Sequence, residues 1–163
     1  MKKLIILSAL VASGASVKAA DAPFFQASLT PDIAIHSKST DISGVCLSIW
    51  GENPQSALAL GFVNGSTGDS QGFSWAFLFN YDERYTGVAW AFLNVSQEKF
   101  VGWQAGAVNV AKEFHGLQWG FVNYAEQLRG VQLGFINVAM NNPWFNELPD
   151  KLATGFPIVN WSF

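Results

Sequence analysis

Cysteine and histidine are almost missing from this sequence of 163 residues, which contains one cysteine and two histidines. Cys46 cannot form an internal disulfide, and we interpret it as a small buried apolar residue. His36 and His115 lie in different sequence contexts, His115 in a charged turn, and neither belongs to a cluster of metal ligands. We therefore expect no bound metal and no cofactor.

Long apolar runs are missing as well. The run from Leu4 to Val11 is too short to span a bilayer, which takes roughly 20 apolar residues. It follows Lys2 and Lys3 and precedes a stretch of small residues, and this order is typical of a secretory signal peptide. The sequence predicts a signal peptide over residues 1–20, cleaved after Ala19 or Ala20, and hence an exported bacterial protein with a single domain over residues 21–163.

Basic residues are few. The chain has nine lysines and arginines against twelve acidic residues, and three of the nine lie in the predicted signal peptide: Lys2, Lys3 and Lys18. The mature chain then has a net charge of about −6. Nucleic-acid binding depends on basic side chains that neutralise phosphates. The sequence therefore predicts no nucleic-acid partner.

Catalytic motifs are missing too. The chain contains no GxSxG nucleophile elbow and no base at a suggestive distance from a serine or the cysteine. Asp41, Asp69 and Asp82 lie near serine, glycine and asparagine, but none belongs to a calcium loop of the DxDxDG kind. We expect no catalytic residue and no metal ligand, and thus no enzyme.

Tandem repeats of 14 to 15 residues dominate what is present. The segments GWQAGAVNVAKEFH, GLQWGFVNYAEQLR and GVQLGFINVAMNNP begin at Gly102, Gly116 and Gly130. Upstream copies begin at Gly87 and Gly72, and looser copies precede them. Clear repeats cover residues 57–139, a loop is expected over 140–151, and a terminal strand over 152–163. Asparagine recurs at one equivalent position of the repeats: Asn80, Asn94, Asn109, Asn123 and Asn137.

Each repeat alternates with a period of two residues, which predicts β-strand. In the copy at Gly116, one set of positions reads Leu-Trp-Phe-Asn over 117, 119, 121 and 123, and the other set reads Gln-Gly-Val-Tyr. Charges are confined to the joints between strands, as at residues 82–84, 98–99 and 112–113. Both faces of the strands are apolar, which indicates that both are shielded from water. The predicted fold class is all-β.

Two architectures fit this pattern. An antiparallel meander closing as a small barrel fits the strand length, since a membrane-spanning strand needs about 9 to 11 residues. A β-solenoid, in which each repeat is one coil, explains better why asparagine keeps one slot, because stacked asparagines form hydrogen-bonded ladders. We expect the small barrel and keep the solenoid as the alternative.

The copies GVQLGFINVA and GLQWGFVNYA resemble the bacterial surface-repeat proteins, which carry tandem units of the form G, apolar, Q, x, G, apolar, V or I, N. The resemblance covers about Ala57 to Ala139 and implies export and an envelope or surface location. It supplies no catalytic residue. The copies at Gly72 and Gly87 depart from it, because Ser74 and Ala89 replace the glutamine.

Aromatic side chains recur in two slots of the repeats: Trp75, Trp90 and Trp119, and Phe77, Phe92, Phe121 and Phe135. They would form a platform for carbohydrate or lipid if they faced outward. We interpret them instead as core or lipid-facing bulk. Trp144 and Phe145 lie in the expected loop and form a candidate contact site, although a packed plug over the end of the sheet fits them better.

The sequence therefore predicts a non-catalytic structural or interaction protein of the bacterial cell envelope, associated with the outer membrane or the cell surface. Its expected partners are outer-membrane lipid or envelope proteins. The alternative is a secreted, soluble β-solenoid that binds a ligand or a protein partner. The location is then outer membrane, cell surface or periplasm.

Overall fold

The computed structural model describes residues 22–163, and the predicted signal peptide lies outside them. Over these residues the chain is all-β and contains no helix. The strands are β1 (Phe25–Thr30), β2 (Ile33–Ala34), β3 (Val45–Asn53), β4 (Ser56–Trp90), β5 (Leu93–Ala139) and β6 (Gly155–Ser162). The long β4 and β5 are wound segments that each pass through more than one repeat.

Successive repeats pair in parallel, as stacked coils. Asn80 pairs with Asn94, Gly87 with Gly102, and Trp90 with Ala105. Parallel pairing of equivalent residues one repeat apart defines a β-solenoid. The solenoid alternative is therefore right. The expected closed barrel is wrong, because a meander would have paired the repeats antiparallel, and because the sheet runs in the order β2-β1-β3-β4-β5-β6 and does not close on itself.

A glycine at the start of each coil makes the close stacking possible. Gly116 has a φ of 136°, and a Cβ built on it would lie 2.0 Å from the carbonyl oxygen of Gly102. L-residues with a side chain rarely adopt this backbone conformation, and no side chain fits the space. The same geometry recurs at Gly72, Gly87, Gly102 and Gly130. The periodic glycine of the repeat is thus a corner residue.

The interior of the coils is narrow. One large side chain per coil fills it at one side, where Tyr85, Phe100, Phe114 and Leu128 follow one another. Tyr85 and Phe100 stack with ring centroids 5.6 Å apart, and Phe100 and Phe114 stack at 5.7 Å. Alanines from neighbouring repeat positions complete this cluster. The rest of the interior is occupied by amide side chains, by serines, and by a second, smaller apolar cluster of Ile42, Cys46, Ala57 and Ala59.

Antiparallel segments lie over both ends of the coil stack. At the N-terminal end, β2 pairs antiparallel with β1, and β1 pairs in parallel with β3. At the C-terminal end, β6 runs antiparallel along residues 130–138 of β5. β6 covers the backbone hydrogen-bonding groups of the last coil, and the two-residue β2 covers part of the edge of β1, which shortens the exposed sheet edges.

Candidate binding face

The large aromatic side chains of the repeats point outward. We call Trp75, Trp90, Trp119 and Leu133 the Trp row, and Phe77, Phe92, Phe121 and Phe135 the Phe row. Every member of both rows is exposed, and Phe92, Phe121 and Phe135 each expose 60% or more of their surface. The interpretation of these residues as core or lipid-facing bulk is therefore wrong in its first half, since the two rows face outward, and contact with lipid stays a prediction.

The interior explains why these rings lie outside. The residues that alternate with the rows are Gln118 and Gly120 in one coil, and Gln132 and Gly134 in the next, and the glutamines are fully buried. A Cβ at Gly120 would lie 2.4 Å from the carbonyl oxygen of Gly106 and 2.6 Å from Nδ2 of Asn109. The interior at this wall therefore admits only small residues and ordered amides. Bulky side chains are left with the outer face.

The Phe row continues toward the N-terminal end of the solenoid. Phe62 contacts Phe77 edge-on, with ring centroids 5.8 Å apart. Ile49 and Phe62 follow the parallel pair Ser48 and Gly61 in their strands, and Leu29 and Ile49 line one surface depression. The side chains of Leu29, Ile49 and Phe62 are all exposed. One continuous apolar surface, which we call the apolar face, therefore extends from β1 to the coil that begins at Gly130.

The coil that begins at Gly102 interrupts both rows. It places Ala105 in the Trp row and Ala107 in the Phe row, and Gly106 lies between them. The result is a groove of about 820 Å³ in the middle of the apolar face. Its walls are Trp90 and Phe92 on one side and Trp119 and Phe121 on the other.

Trp103 closes one part of this gap. Trp103 occupies the repeat position two residues before the Trp row. Its indole nevertheless stacks on that of Trp119, with centroids 6.2 Å apart and planes within 10°. The ring thereby substitutes for the tryptophan that Ala105 replaces. The gap over Ala107 has no such substitute among residues 22–163, and it remains open between Phe92 and Phe121.

The recurring asparagines form one hydrogen-bonded ladder inside the solenoid. Each Nδ2 donates to Oδ1 of the asparagine in the next coil, at 2.8 to 3.0 Å. The members are Asn80, Asn94, Asn109, Asn123 and Asn137, and all are buried. The last of them, Asn137, donates to the carbonyl oxygen of Phe156 in β6. The asparagines thus hold the stack together from within and offer no group to a ligand.

A second ladder of glutamines runs in the opposite direction. Gln132 donates to Gln118 at 2.8 Å, and Gln118 donates to Gln104 at 3.0 Å. Gln104 then donates to the hydroxyl of Ser96 at 2.8 Å. Ser96 hydrogen-bonds to the carboxyl of Asp82. The ladder therefore ends on a carboxyl group inside the solenoid.

Asp82 is the one residue of the charged joints that turns inward. It is 3% exposed, and its Oδ1 has no hydrogen-bond partner among residues 22–163. Burial raises the pKa of Asp82 to about 7, against the opposing effect of the hydrogen bond from Ser96. Asp82 pairs with Ser96 of the next coil and occupies the repeat position at which Ala111, Ala125 and Ala139 are also buried, so the regular alternation of the strand points it inward.

The other charged residues of the joints between repeats form ion pairs from coil to coil, outside the two aromatic rows. Arg84 forms ion pairs with Asp69 at 2.6 Å and with Glu98. Lys99 lies 2.7 Å from Glu113, which also contacts His115 at 3.0 Å. Lys99 lowers the pKa of the Glu113 carboxyl by hydrogen bonding to it. These pairs join one coil to the next across the surface.

The candidate metal ligands of the sequence lie in separate places. Asp69 is in a surface ion pair, Asp82 is buried, and the backbone N–H of His36 donates to the side chain of Gln26. Within residues 22–163, no three histidine, cysteine or acidic side chains come together as a metal site. Over the same range, no helix has the length and apolar composition that crossing a membrane takes.

Trp144 and Phe145 lie between β5 and β6 and are both exposed. Their rings are 6.0 Å apart, and Phe145 contacts Phe156 of β6 edge-on at 5.9 Å. Phe145 has a φ of 55°, a conformation that residues with a side chain adopt infrequently. The pair therefore packs on the C-terminal strand while leaving about half of each side chain open to contact.

Sequence reasoning missed the groove around Ala107. The sequence does carry a signal for this groove: GWQAGAV has alanine at the two repeat positions where the neighbouring copies have tryptophan and phenylalanine. Asp82 was also missed as a buried group, and its signal was its place two residues after the ladder asparagine, where the later copies have serine or alanine. No family model matches the chain, and neither the curated proteins nor the solved structures include a significant match.

Proposed function

We propose that the protein is a non-catalytic structural or interaction protein of the bacterial cell envelope, exported to the outer membrane, the cell surface or the periplasm. Its working part is the apolar face, and its partners are outer-membrane lipid or envelope proteins. The export signal that this proposal needs is the one predicted over residues 1–20.

The exposed apolar face is the observation that carries the proposal. Monomeric soluble proteins rarely expose contiguous apolar patches larger than a few hundred Å², and larger ones mark contact sites. Here the row from Leu29 through Phe62 to Phe135 is exposed along almost the whole solenoid. Leaving such a row in water has a free-energy cost that contact with lipid or an apolar partner removes.

The distribution of charge supports the same proposal. Ion pairs such as those of Arg84 and Lys99 lie in the joints between repeats, and no charged residue belongs to either aromatic row. A body with an apolar face and its charges elsewhere is suited to lie at an interface between water and an apolar phase. Tryptophan is enriched at membrane–water interfaces for a related reason.

A secreted, soluble β-solenoid that binds a ligand or a protein partner is the second candidate. The covered ends favour it, because terminal caps are what keeps stacked-repeat proteins soluble. β2 and β6 lie antiparallel over the two ends of the stack. In that case the apolar face holds the ligand or the partner, and the protein is not attached to lipid.

Fractionation of the native host separates the two candidates. We expect the protein in the carbonate-washed outer membrane, and recovery in the periplasm or culture fluid would instead support the soluble module. Purified protein is then tested by flotation with vesicles of outer-membrane lipid. The variant Ile49→Gln/Phe62→Gln alters two exposed residues of the apolar face and leaves the Ala107 groove intact.

The matched control is Gln97→Ser/Gln127→Ser, which changes two exposed residues in the charged joints between repeats. We expect the Ile49→Gln/Phe62→Gln variant to lose flotation and the control to keep it. Equal flotation of both variants, or none with the wild-type protein, would exclude lipid attachment through the apolar face.

A further inference from the structure

We propose that the gap over Ala107 is a binding slot for one flat, uncharged ring of a small molecule. The slot is bounded by the side chains of Phe92 and Phe121, its floor is Ala107 with Gly106, and Trp103 closes one end. The inference goes beyond the proposed function, because it holds for the purified protein wherever the cell places it.

The spacing of the coils sets the width of the slot. Phe121 and Phe135, which occupy consecutive coils beside the gap, have ring centroids 5.1 Å apart and planes within 8° of each other. Phe92 and Phe121 are separated by two coil spacings, or about 9.6 Å, since neighbouring strands lie about 4.8 Å apart. A single ring inserted midway would lie about 4.8 Å from each phenylalanine, within the 4.5–7 Å range of stacked aromatic pairs.

The stack itself indicates what fits. Next to the gap, the rings of Phe121 and Phe135 are nearly parallel, and so are those of Trp103 and Trp119, whereas Phe62 and Phe77 at the far end of the face meet edge-on. A flat ring would reproduce at Ala107 the contacts that its neighbours already make with one another. A saturated, puckered ring of the same composition is thicker and lacks the π face that aromatic stacking requires.

The charges nearby define the ligand further. None of the residues lining the groove is ionisable, so no counter-charge offsets the desolvation of a charged ligand, and the cation–π attraction of the ring faces is small beside that cost. Residues 1–21 contain no aromatic residue, so that segment has no ring with which to complete the stack. The occupant is therefore an uncharged ring supplied from outside the chain.

The test is a calorimetric titration of the purified protein with 2-naphthol, a flat probe that is neutral at pH 7. Calorimetry gives the affinity and the number of probes bound per chain directly. We expect saturable binding of one probe per chain. Decahydro-2-naphthol, the saturated counterpart of the probe, should bind at least about tenfold more weakly because it loses both stacking contacts.

Two variants locate the site. Ala107→Phe fills the slot with a side chain that this row accepts in the neighbouring coils, and it should abolish binding. Phe77→Ala opens a second gap of the same kind between Phe62 and Phe92, and it should raise the stoichiometry to two. Phe77→Ala combined with Ala107→Phe should restore one site.

The proposal is overturned if Ala107→Phe binds 2-naphthol as the wild-type protein does, or if the saturated probe binds equally well. It is also overturned if sedimentation shows that the wild-type protein is a dimer and the Ala107→Phe variant a monomer, since the slot then holds an aromatic side chain of a second copy. None of these measurements involves lipid or cell location, so their failure is distinct from a failure of the envelope proposal.

Discussion

Asn109 donates a hydrogen bond from Nδ2 to Oδ1 of Asn123 at 2.8 Å, and the same Nδ2 donates to the carbonyl oxygen of Trp119 at 3.0 Å. Its own Oδ1 accepts from Asn94 at 2.8 Å. A fully buried amide is therefore bonded to both neighbouring coils. This saturation is the reason that polar residues fill the interior while aromatic residues cover the outside, since unbonded amides would be costly to bury.

Replacing Asn109 with leucine should lower the free energy of unfolding by about 3 kcal/mol or more. The change leaves Nδ2 of Asn94 and Oδ1 of Asn123 without their ladder partner, and each buried unsatisfied group costs about 1–3 kcal/mol. Urea unfolding measures the loss. The control is Asn146→Leu on the exposed loop, which should change stability little. Equal effects of the two substitutions would contradict a stabilising role for the ladder.

Replacing Gly116 with alanine should prevent the coils from stacking closely. The new Cβ would lie 2.0 Å from the carbonyl oxygen of Gly102, at a φ of 136°. We expect a loss of about 4 kcal/mol or failure to fold, because backbone must move to relieve the overlap. Gly68→Ala is the matched control, since Gly68 has a φ of 60° but open space around it, and it should cost only about 1–2 kcal/mol. Thermal unfolding of both variants checks the difference.

Much of the fold follows from the sequence, because the period of two predicts strand and the period of 14 to 15 predicts stacking units. The recurrence of Asn109, Asn123 and Asn137 in one slot is the local signal for parallel coils. The sequence does not reveal which alternating set points inward. Trp119 and Asn123 fall on one side of a continuous strand, but the chain turns a corner between them, so that Trp119 faces outward and Asn123 inward.

The barrel prediction failed for a related reason. Apolar residues on both sides of the strand looked like shelter on both sides, whereas Phe121 is exposed and Gln118 is buried. Burial of Gln118 depends on Gln104 and Gln132 lying directly beside it in adjacent coils. A buried glutamine is thus hydrogen-bonded only when several repeats are stacked. The sequence of a single repeat does not reveal this.

Filling the gap in the Phe row should stabilise the protein. Ala107→Phe places a ring between Phe92 and Phe121, and each stacked pair contributes about 0.5–1.5 kcal/mol beyond area burial. We expect a gain of about 1–2 kcal/mol in the free energy of unfolding. Ala107→Leu adds apolar volume without a ring and should gain less. A lower melting temperature for Ala107→Phe than for wild type would show that the gap is too narrow for a ring.

The buried carboxyl of Asp82 should make the stability of the fold depend on pH. Burial is the main cause that raises its pKa from an ordinary 3.8 to about 7 in the folded protein. Between these values the folded protein binds more protons than the unfolded chain, so stability is present at low pH and is lost as the pH rises toward 7. The gap between the two values corresponds to about 4 kcal/mol as an upper limit. Asp82→Asn keeps the shape of the neutral acid and removes its ionisation.

Urea unfolding at several pH values tests this dependence. Asp82→Asn should resemble the wild type at pH 3.5 and should be more stable by a few kcal/mol at pH 8, because only the wild type must keep its carboxyl neutral or bury its charge. Tyr85, whose buried hydroxyl also has no hydrogen-bond partner among residues 22–163, lies in the same part of the interior and stays neutral across this range. The control is Asp150→Asn at an exposed position, which should leave the pH profile unchanged. If Asp82→Asn and wild type differ by the same amount at pH 3.5 and pH 8, the carboxyl of Asp82 ionises in the folded protein as it does in the unfolded chain, and the interior then holds its charge through Ser96 and the glutamine ladder behind it.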